Sequence, residues 1–214
     1  MIKFSFHFFS LFLVITFFLS GCATKNEINI ESDSNNLTFE QRKNILLTKK
    51  DWQIKGKIAF YQRINEQDKR ESASLNWQVN ELKKTQELNL TSFLGINVLH
   101  LKSNQKEHLI KVDGKEYKDE NLSKLIHSLT GLHLPTQALV YWLKGLPYNI
   151  NDSFILDEIK QLPTSLISHY DNSEWTIEYD NYKQFDNIAM ATNFLIVKDN
   201  LKIKVSIKNW HFNN

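Results

Sequence analysis

The sequence predicts a mainly β domain: an antiparallel sheet curled on itself, with helices closing its inner face. Three observations lead there. Segment after segment alternates apolar and polar residues with a period of two, the mark of strands with one face buried and one wet. Only two strongly apolar helical stretches are set among them, too few to cover a sheet of about eight strands unless the sheet also covers itself. Cys22 is the only cysteine among 214 residues, so no disulfide can staple the domain and a packed core must hold it.

The chain begins with Lys3, an apolar run over Phe4–Leu19, and the small residues Ser20 and Gly21. That layout is a signal peptide over residues 1–21, and the run is shorter than the roughly 20 residues a spanning helix needs. It ends at Leu19-Ser20-Gly21-Cys22, which resembles a lipobox. Small residues fit a protease cleft, and a thiol can be alkylated with diacylglycerol. Cys22 is therefore expected to carry lipid at the head of the mature chain. Residues 22–36 are mostly Asn, Ser, Lys and Glu after the cysteine, with little to bury, and are expected to be a flexible tether. The folded domain is expected over 37–214.

Thr38-Phe39-Glu40-Gln41 has the form of a capping box, starting a helix to about Lys50. Trp52, Ile54, Ile58 and Phe60 then fall on one face of a strand. Ala73, Leu75, Trp77 and Val79 alternate with polar neighbours, as do Leu88 and Leu90, with polar linkers around 65–69 and 81–85. Val98–Lys102 and Leu109–Val112 add two strands, the second ending at the turn signal Asp113-Gly114. Leu122, Leu125, Ile126 and Leu129 lie on one helical stripe, with Gly131 just past its end. A second helix runs from Pro135 with Ala138, Leu139, Trp142 and Leu143 on one side, stopped by Gly145 and Pro147. Strands resume at Trp175–Tyr179 and Phe194–Lys198, with a turn at Asp199-Asn200. In the last strand Leu201, Ile203, Val205 and Ile207 face one way, while Lys202, Lys204, Ser206 and Lys208 face the other.

No catalytic pattern stands out. The six glycines form no G-x-G pair, and neither G-x-S-x-G nor H-E-x-x-H occurs. His127 and His133 are six apart across Gly131 with no joining carboxylates, so no metal site is read, and no cofactor is expected. The 26 basic and 24 acidic residues are interspersed, and the only arginines are Arg42, Arg63 and Arg70, which argues against nucleic acid as partner. Apolar excess is what the chain does offer. Such a set forms either a solid core, its ordinary meaning, or the lining of a ligand cavity, and composition does not separate the two. One turn is unusual, because Ser92-Phe93-Leu94-Gly95-Ile96 puts two large apolar residues where turns are normally polar. Either Phe93 and Leu94 fold back into the core, or they are exposed for a membrane or an apolar partner.

Several motifs, collinear from Trp52 to Trp210, resemble the LolB family of outer-membrane lipoproteins. They are Trp52-x-Ile54-x-Gly56-Lys57-Ile58-Ala59, Leu75-x-Trp77, Leu94-Gly95, Leu129-Thr130-Gly131-x-x-Leu134-Pro135, Tyr141-Trp142-Leu143-Lys144-Gly145-Leu146-Pro147, Trp175-x-Ile177-x-Tyr179-x-x-Tyr182, and Ile203-Lys204 to Trp210. The resemblance implies an incomplete antiparallel barrel with a helical lid over an apolar cavity. It implies a function as well: accepting acylated lipoproteins from a LolA-type periplasmic carrier and inserting them into the outer membrane, as a lipid-anchored monomer facing the periplasm and not as an enzyme.

By the same resemblance, the acyl cavity is expected to draw on Trp52, Ile54, Ile58, Phe60, Leu75, Trp77, Leu125, Leu129, Trp142, Trp175, Ile203 and Val205. Leu94, with Phe93 beside it, is expected to enter the membrane. Two departures from the family pattern are Phe93, where proline is expected, and Ala191, where a Met-Pro pair is common, which leaves the path after Met190 open. Ala23 after Cys22 is not the aspartate that retains lipoproteins in the inner membrane of enteric bacteria. A lipocalin-like lipoprotein binding a small apolar ligand is the alternative.

Overall fold

The computed structural model describes residues 37–213 except 65 and 93. The expected signal peptide, Cys22, the tether and Phe93 lie outside the described residues. Helix α1 (Phe39–Thr48) leads into β1 (Asp51–Ile64), β2 (Gln67–Asn80), β3 (Thr85–Thr91), β4 (Asn97–Ser103), β5 (His108–Val112) and β6 (Lys115–Asp119). Helices α2 (Leu122–Thr130) and α3 (Thr136–Trp142) follow. After them come β7 (Ser153–Leu156), β8 (Pro163–Tyr170), β9 (Ser173–Asp180), β10 (Lys183–Phe185), β11 (Ile188–Met190), β12 (Asn193–Lys198) and β13 (Leu201–Asn213).

Eleven of these strands form one antiparallel sheet in the order β6-β5-β4-β3-β2-β1-β13-β12-β9-β8-β7, and β10 and β11 form a separate hairpin. The sheet curls but does not close, since β6 and β7 remain its two edges. Its centre is the pair β1 and β13, which joins the start of the domain to its end. Asp51 fastens that junction by accepting from Asn80 on β2 at 2.6 Å and from Asn213 on β13 at 2.8 Å.

Local chemistry explains most element boundaries. The Thr38 hydroxyl accepts from the Gln41 amide at 3.3 Å, and the Gln41 side chain accepts from the Thr38 amide at 2.9 Å, so the capping box is complete. Asn121 caps α2 by accepting from the Lys124 amide at 2.9 Å. Gly131 ends α2 with φ of 71°, a left-handed conformation that glycine adopts without a Cβ penalty. Gly56 is required for a different reason: β13 carries a bulge opposite it, where Lys55 pairs with Asn209 and Gly56 with Ile207. A Cβ on Gly56 would lie 2.1 Å from the Ser206 carbonyl oxygen, so only glycine lets the strands approach there.

The structure extends the sequence reading in several places. The first helix ends at Thr48, where the Thr48 hydroxyl donates to the Ile45 carbonyl at 2.7 Å and competes with the helical pattern. β2 starts at Gln67, so most of the segment read as a polar linker is paired strand. The Asp113-Gly114 turn continues into β6, whose sequence Lys-Glu-Tyr-Lys-Asp has one apolar residue to betray it. β8 starts at Pro163, at the first position of a strand, where a missing amide is tolerated. After Met190 the chain runs inward: Ala191 and Thr192 are buried, and the Ala191 carbonyl accepts from Trp210 Nε1 at 3.3 Å.

Apolar residues gather in two clusters. The larger lies inside the curl of the sheet and includes Ala138, Leu139 and Trp142 of α3 together with Leu46 of α1. The smaller lies under α2, where Leu122, Leu125 and Ile126 cover Leu101 and Ile110 of β4 and β5. Leu88, Leu99 and Leu134 are half-buried and pack against both clusters, forming the seam between them.

Candidate functional site

The residues expected to line an apolar cavity are all turned inward. Trp52, Ile54, Leu75, Trp77, Trp142, Trp175, Ile203 and Val205 are buried in the larger cluster, with Ile58 and Phe60 half-buried against it. Leu125 belongs to the smaller cluster, and Leu129 packs against that one. The rings contact one another: Trp52 lies 5.5 Å from Trp77 and 5.6 Å from Trp210, and Trp142 lies 5.7 Å from Trp175. Indole nitrogens need partners once they leave water. Trp142 donates to the Ser168 hydroxyl at 3.2 Å and Trp77 to the Gln86 side chain at 3.1 Å, whereas Trp175 Nε1 is buried without a partner.

A concavity of about 1070 Å³ opens between the two lid helices. Leu122 and Ser123 of α2 stand on one side, Val140 and Tyr141 of α3 on the other, and the β2–β3 and β4–β5 turns complete the wall. Its walls mix polar groups with Val79, Leu122, Val140 and three tyrosines, Tyr141, Tyr148 and Tyr170. The wall thus takes Val79 from the larger apolar cluster and Leu122 from the smaller, and none of the twelve inward residues named above is in it. Two large apolar residues sit exposed next to wall residues, Leu82 beside Glu81 and Ile150 beside Asn149.

Two buried cations hold the lid end to the sheet. Lys144, two residues past α3, donates to Glu81 in the β2–β3 turn and to the Lys49 carbonyl at 3.3 Å. Glu81 also accepts from Trp52 Nε1 at 3.2 Å and pairs with Lys50 at 3.3 Å. Burial pushes the Lys144 ammonium below the usual lysine range, and the bond to Glu81 opposes that shift. On α1, Arg42 donates to the Ala189 carbonyl at 2.8 Å and to the Lys144 carbonyl at 3.0 Å, and its Nη1 has no partner. Burial lowers the Arg42 pKa, while the neighbouring Tyr182 and Tyr179 oppose that. The sequence reading singled out neither cation; the one hint was a lysine set in the apolar run Tyr141–Pro147.

At the other end of β3 the turn over 92–96 closes on itself, with the Ser92 amide donating to the Ile96 carbonyl at 2.8 Å and the Gly95 amide to the Ser92 carbonyl at 2.9 Å. Of the two readings open from sequence, Leu94 takes the exposed one. It is 79% exposed, followed by Ile96 at 64% and Val98 at 43%. β3 is seven residues long, so about 20 Å of strand separates this turn from the β2–β3 turn at the concavity.

His127 and His133 stack across Gly131 with ring centroids 3.8 Å apart. No cluster of three or more metal-ligating side chains is found among the described residues, and no helix among them is long and apolar enough to cross a membrane.

A family model described as outer membrane lipoprotein LolB matches residues 50–210. The outer-membrane lipoprotein LolB of Pseudoalteromonas translucida is 32% identical over 197 residues, covering 92% of this chain and 90% of that protein. Its counterpart in Aeromonas salmonicida is 30% identical over 193 residues, covering 90% of each chain. Among solved structures, a domain from Vibrio parahaemolyticus described as an outer membrane lipoprotein-sorting protein superposes with a TM-score of 0.53 at 8% identity, over 82% of this chain and 91% of that one. That likeness speaks to the fold alone.

Proposed function

The chain belongs to the family of the outer-membrane lipoprotein LolB, and from that premise we propose that it receives acylated lipoproteins from a LolA-type periplasmic carrier and delivers them into the membrane that anchors it. Membership makes it an outer-membrane lipoprotein of lipoprotein localisation. The route of the acyl chains is the finer part of the proposal.

The observation that carries it is the apolar seam. Leu88, Leu99 and Leu134 link two clusters that are otherwise separate, and the concavity between α2 and α3 takes wall residues from both, Val79 from the larger and Leu122 from the smaller. Parting α2 from α3 lets an acyl chain replace leucine-to-leucine contacts with leucine-to-methylene contacts, so apolar surface stays covered throughout. Each methylene kept out of water is worth about 0.8 kcal/mol, which is why an acylated protein does not cross water unaided at a useful rate. Transfer needs no nucleotide if this interior holds acyl chains better than the carrier does, and the bilayer better still.

Delivery is assigned to the exposed Leu94 turn, which presents an apolar tip at the end of β3, with the Ser92 and Gly95 amides already bonded within the turn, so that these two donors bring no polar cost into the headgroup region. Cys22, with its lipid, fixes location and raises efficiency without taking part in the transfer. The domain works as a monomer, and the exposed Leu82 and Ile150 beside the concavity suit contact with the carrier.

The test is to mix the chain lacking its signal peptide and carrying Cys22→Ala with a carrier loaded with a labelled lipoprotein. Cargo should change hands, and Leu94→Glu should accept it equally but fail to insert it into liposomes. Failure to take cargo overturns the function, and normal insertion by Leu94→Glu overturns the role of the turn. A small free lipid co-purifying in place of acylated protein favours a lipocalin-like carrier.

A further inference from the structure

A second concavity, of about 740 Å³, lies on the outer face of the sheet over β1, β2 and β13. Lys55, Lys57, Lys183 and Lys208 line it, with serine, threonine and asparagine between them and no carboxylate in its wall. All four lysines are exposed. In a chain with 24 acidic residues, so one-signed a surface requires local arrangement, and the arrangement is traceable. The bulge opposite Gly56 leaves Lys208 as the unpaired residue of β13, and the β10–β11 hairpin contributes Lys183 from beyond the main sheet.

The basic field continues toward the β1–β2 tip. Arg70 and Lys204 both stack on Tyr61, at 5.2 and 5.4 Å, and Asp68 beyond them is already bonded to Arg63 at 2.9 Å. In the other direction β12 presents Asn193, Leu195 and Val197, and the carboxylates resume only on β9 with Glu178 and Asp180. The patch thus has defined borders.

Its position gives it meaning. Thr91 lies in its wall and is the last residue of β3 before the Leu94 turn. Across the sheet Thr91 pairs with Ser74, and Ser74 with Lys57, so the foot of the turn is two strand spacings, about 10 Å, from Lys57. An apolar tip next to exposed cations is the combination that holds proteins on anionic bilayers, since neither signal alone binds firmly. Lysines, as mobile point charges on flexible stems, suit a fluid array of phosphates better than a fixed carboxylate partner, for which arginine's rigid fork is the usual choice.

We propose that this outer-face concavity docks the phosphate headgroups of anionic phospholipids in the receiving bilayer, orienting the domain so that the Leu94 turn meets the membrane. The inference rests on the reading of that turn as the membrane-entering element.

Flotation of the mature chain with Cys22→Ala on phosphatidylethanolamine vesicles, with and without phosphatidylglycerol, tests it. Binding to the phosphatidylglycerol vesicles should fall as salt rises. The combined Lys55→Gln, Lys57→Gln, Lys183→Gln and Lys208→Gln variant should bind them at least about tenfold more weakly, with unchanged binding to vesicles lacking the anionic lipid. The corresponding four-fold Lys→Arg variant should bind like the parent. Salt-independent binding by the parent, or equal binding by the Gln variant, overturns the proposal. So does a Gln variant that loses only cargo uptake from the carrier, which would assign the lysines to an acidic protein. Leu94→Glu separates the two ideas. Loss of insertion by Leu94→Glu together with normal anionic binding by the Gln variant sinks docking alone, while normal insertion by Leu94→Glu with weakened binding by the Gln variant sinks the turn's role and leaves docking supported.

Discussion

Glu81 and Lys144 meet where the β2–β3 turn passes beneath the end of α3, and one carboxylate oxygen of Glu81 accepts from both Lys144 Nζ and Trp52 Nε1. Lys144 is fully buried, so this carboxylate is its only anionic partner among the described residues. Breaking a buried pair from one side costs more than replacing both members, because it strands a charge. Glu81→Gln is therefore expected to destabilise the domain by about 3–5 kcal/mol, read from urea unfolding. Lys144→Met should lose less, since Glu81 keeps Lys50. The double variant should fall short of the summed losses by more than about 0.5 kcal/mol, the signature of coupled neighbours; strict additivity would show that the two charges do not depend on each other.

Gly56→Ala tests the closeness of β1 and β13. The added methyl would sit 2.1 Å from the Ser206 carbonyl oxygen and 2.9 Å from the Ile207 Cα, both backbone atoms that no rotamer change can move aside. Overpacking of this kind costs about 1–3 kcal/mol. A lower Tm with faster amide exchange over 205–209 is expected, and a variant as stable and as protected as the parent would mean that the bulge gives way freely.

Much of this architecture is legible in the chain, for a physical reason that also explains the omissions. β13 could be read because Leu201, Ile203, Val205 and Ile207 are buried while the residues between them are wet, and α2 because its stripe is pressed onto the sheet. The outer half of β2 could not, since every residue from Gln67 to Ser72 is exposed; a strand wet on both faces leaves no period. In β8 the buried Ser168 breaks the apolar alternation, and its hydroxyl is accounted for only by Trp142 on α3. Arg42 looks like one more surface cation of an amphipathic helix until α1 meets the carbonyls of Ala189 and Lys144, more than a hundred residues on. The concavity between α2 and α3 belongs to no segment at all, because it depends on how far apart two helices settle. Leu94 stood out as an apolar turn residue, but its exposure is decided by how the backbone of 92–96 bonds to itself.

Alkaline pH should unfold the protein through two tyrosines. Burial pushes the Tyr179 hydroxyl well above its ordinary value of 10.0, with Tyr182 adding to that and Arg42 opposing it. Burial raises Tyr182 as well, again against Arg42. A folded pKa above the unfolded one means stability that is complete below pH 10.0 and is lost as pH climbs above it, because the unfolded chain releases protons the folded chain retains. Lys144 and Arg42, both lowered by burial, act in the opposite sense, while Tyr170, raised by burial, acts with the other two tyrosines. The expected result is a Tm that falls above that pH, with part of the tyrosinate absorbance appearing only as the fold is lost. Tyr182→Phe should flatten the fall. Full tyrosinate absorbance in a protein that still shows its native spectrum would contradict the burial of these hydroxyls.

Val140→Trp asks whether the opening between the lid helices is the way in. Val140 is half-buried in the wall of the concavity on α3, with part of its side chain packed against the larger cluster, and a larger ring there has open volume on its other side, so the stability loss should stay below the roughly 1–3 kcal/mol of a full overpacking. Nothing about the Leu94 turn changes, since β3 separates it from this end of the domain. Uptake of a labelled lipoprotein from a loaded carrier should slow several-fold, while vesicle binding by the empty protein stays as in the parent. The contrast matters because a variant that merely loosened the fold would weaken both. Uptake at the parental rate, with the indole shown by quenching to sit in the concavity, would place the acyl route elsewhere along the sheet.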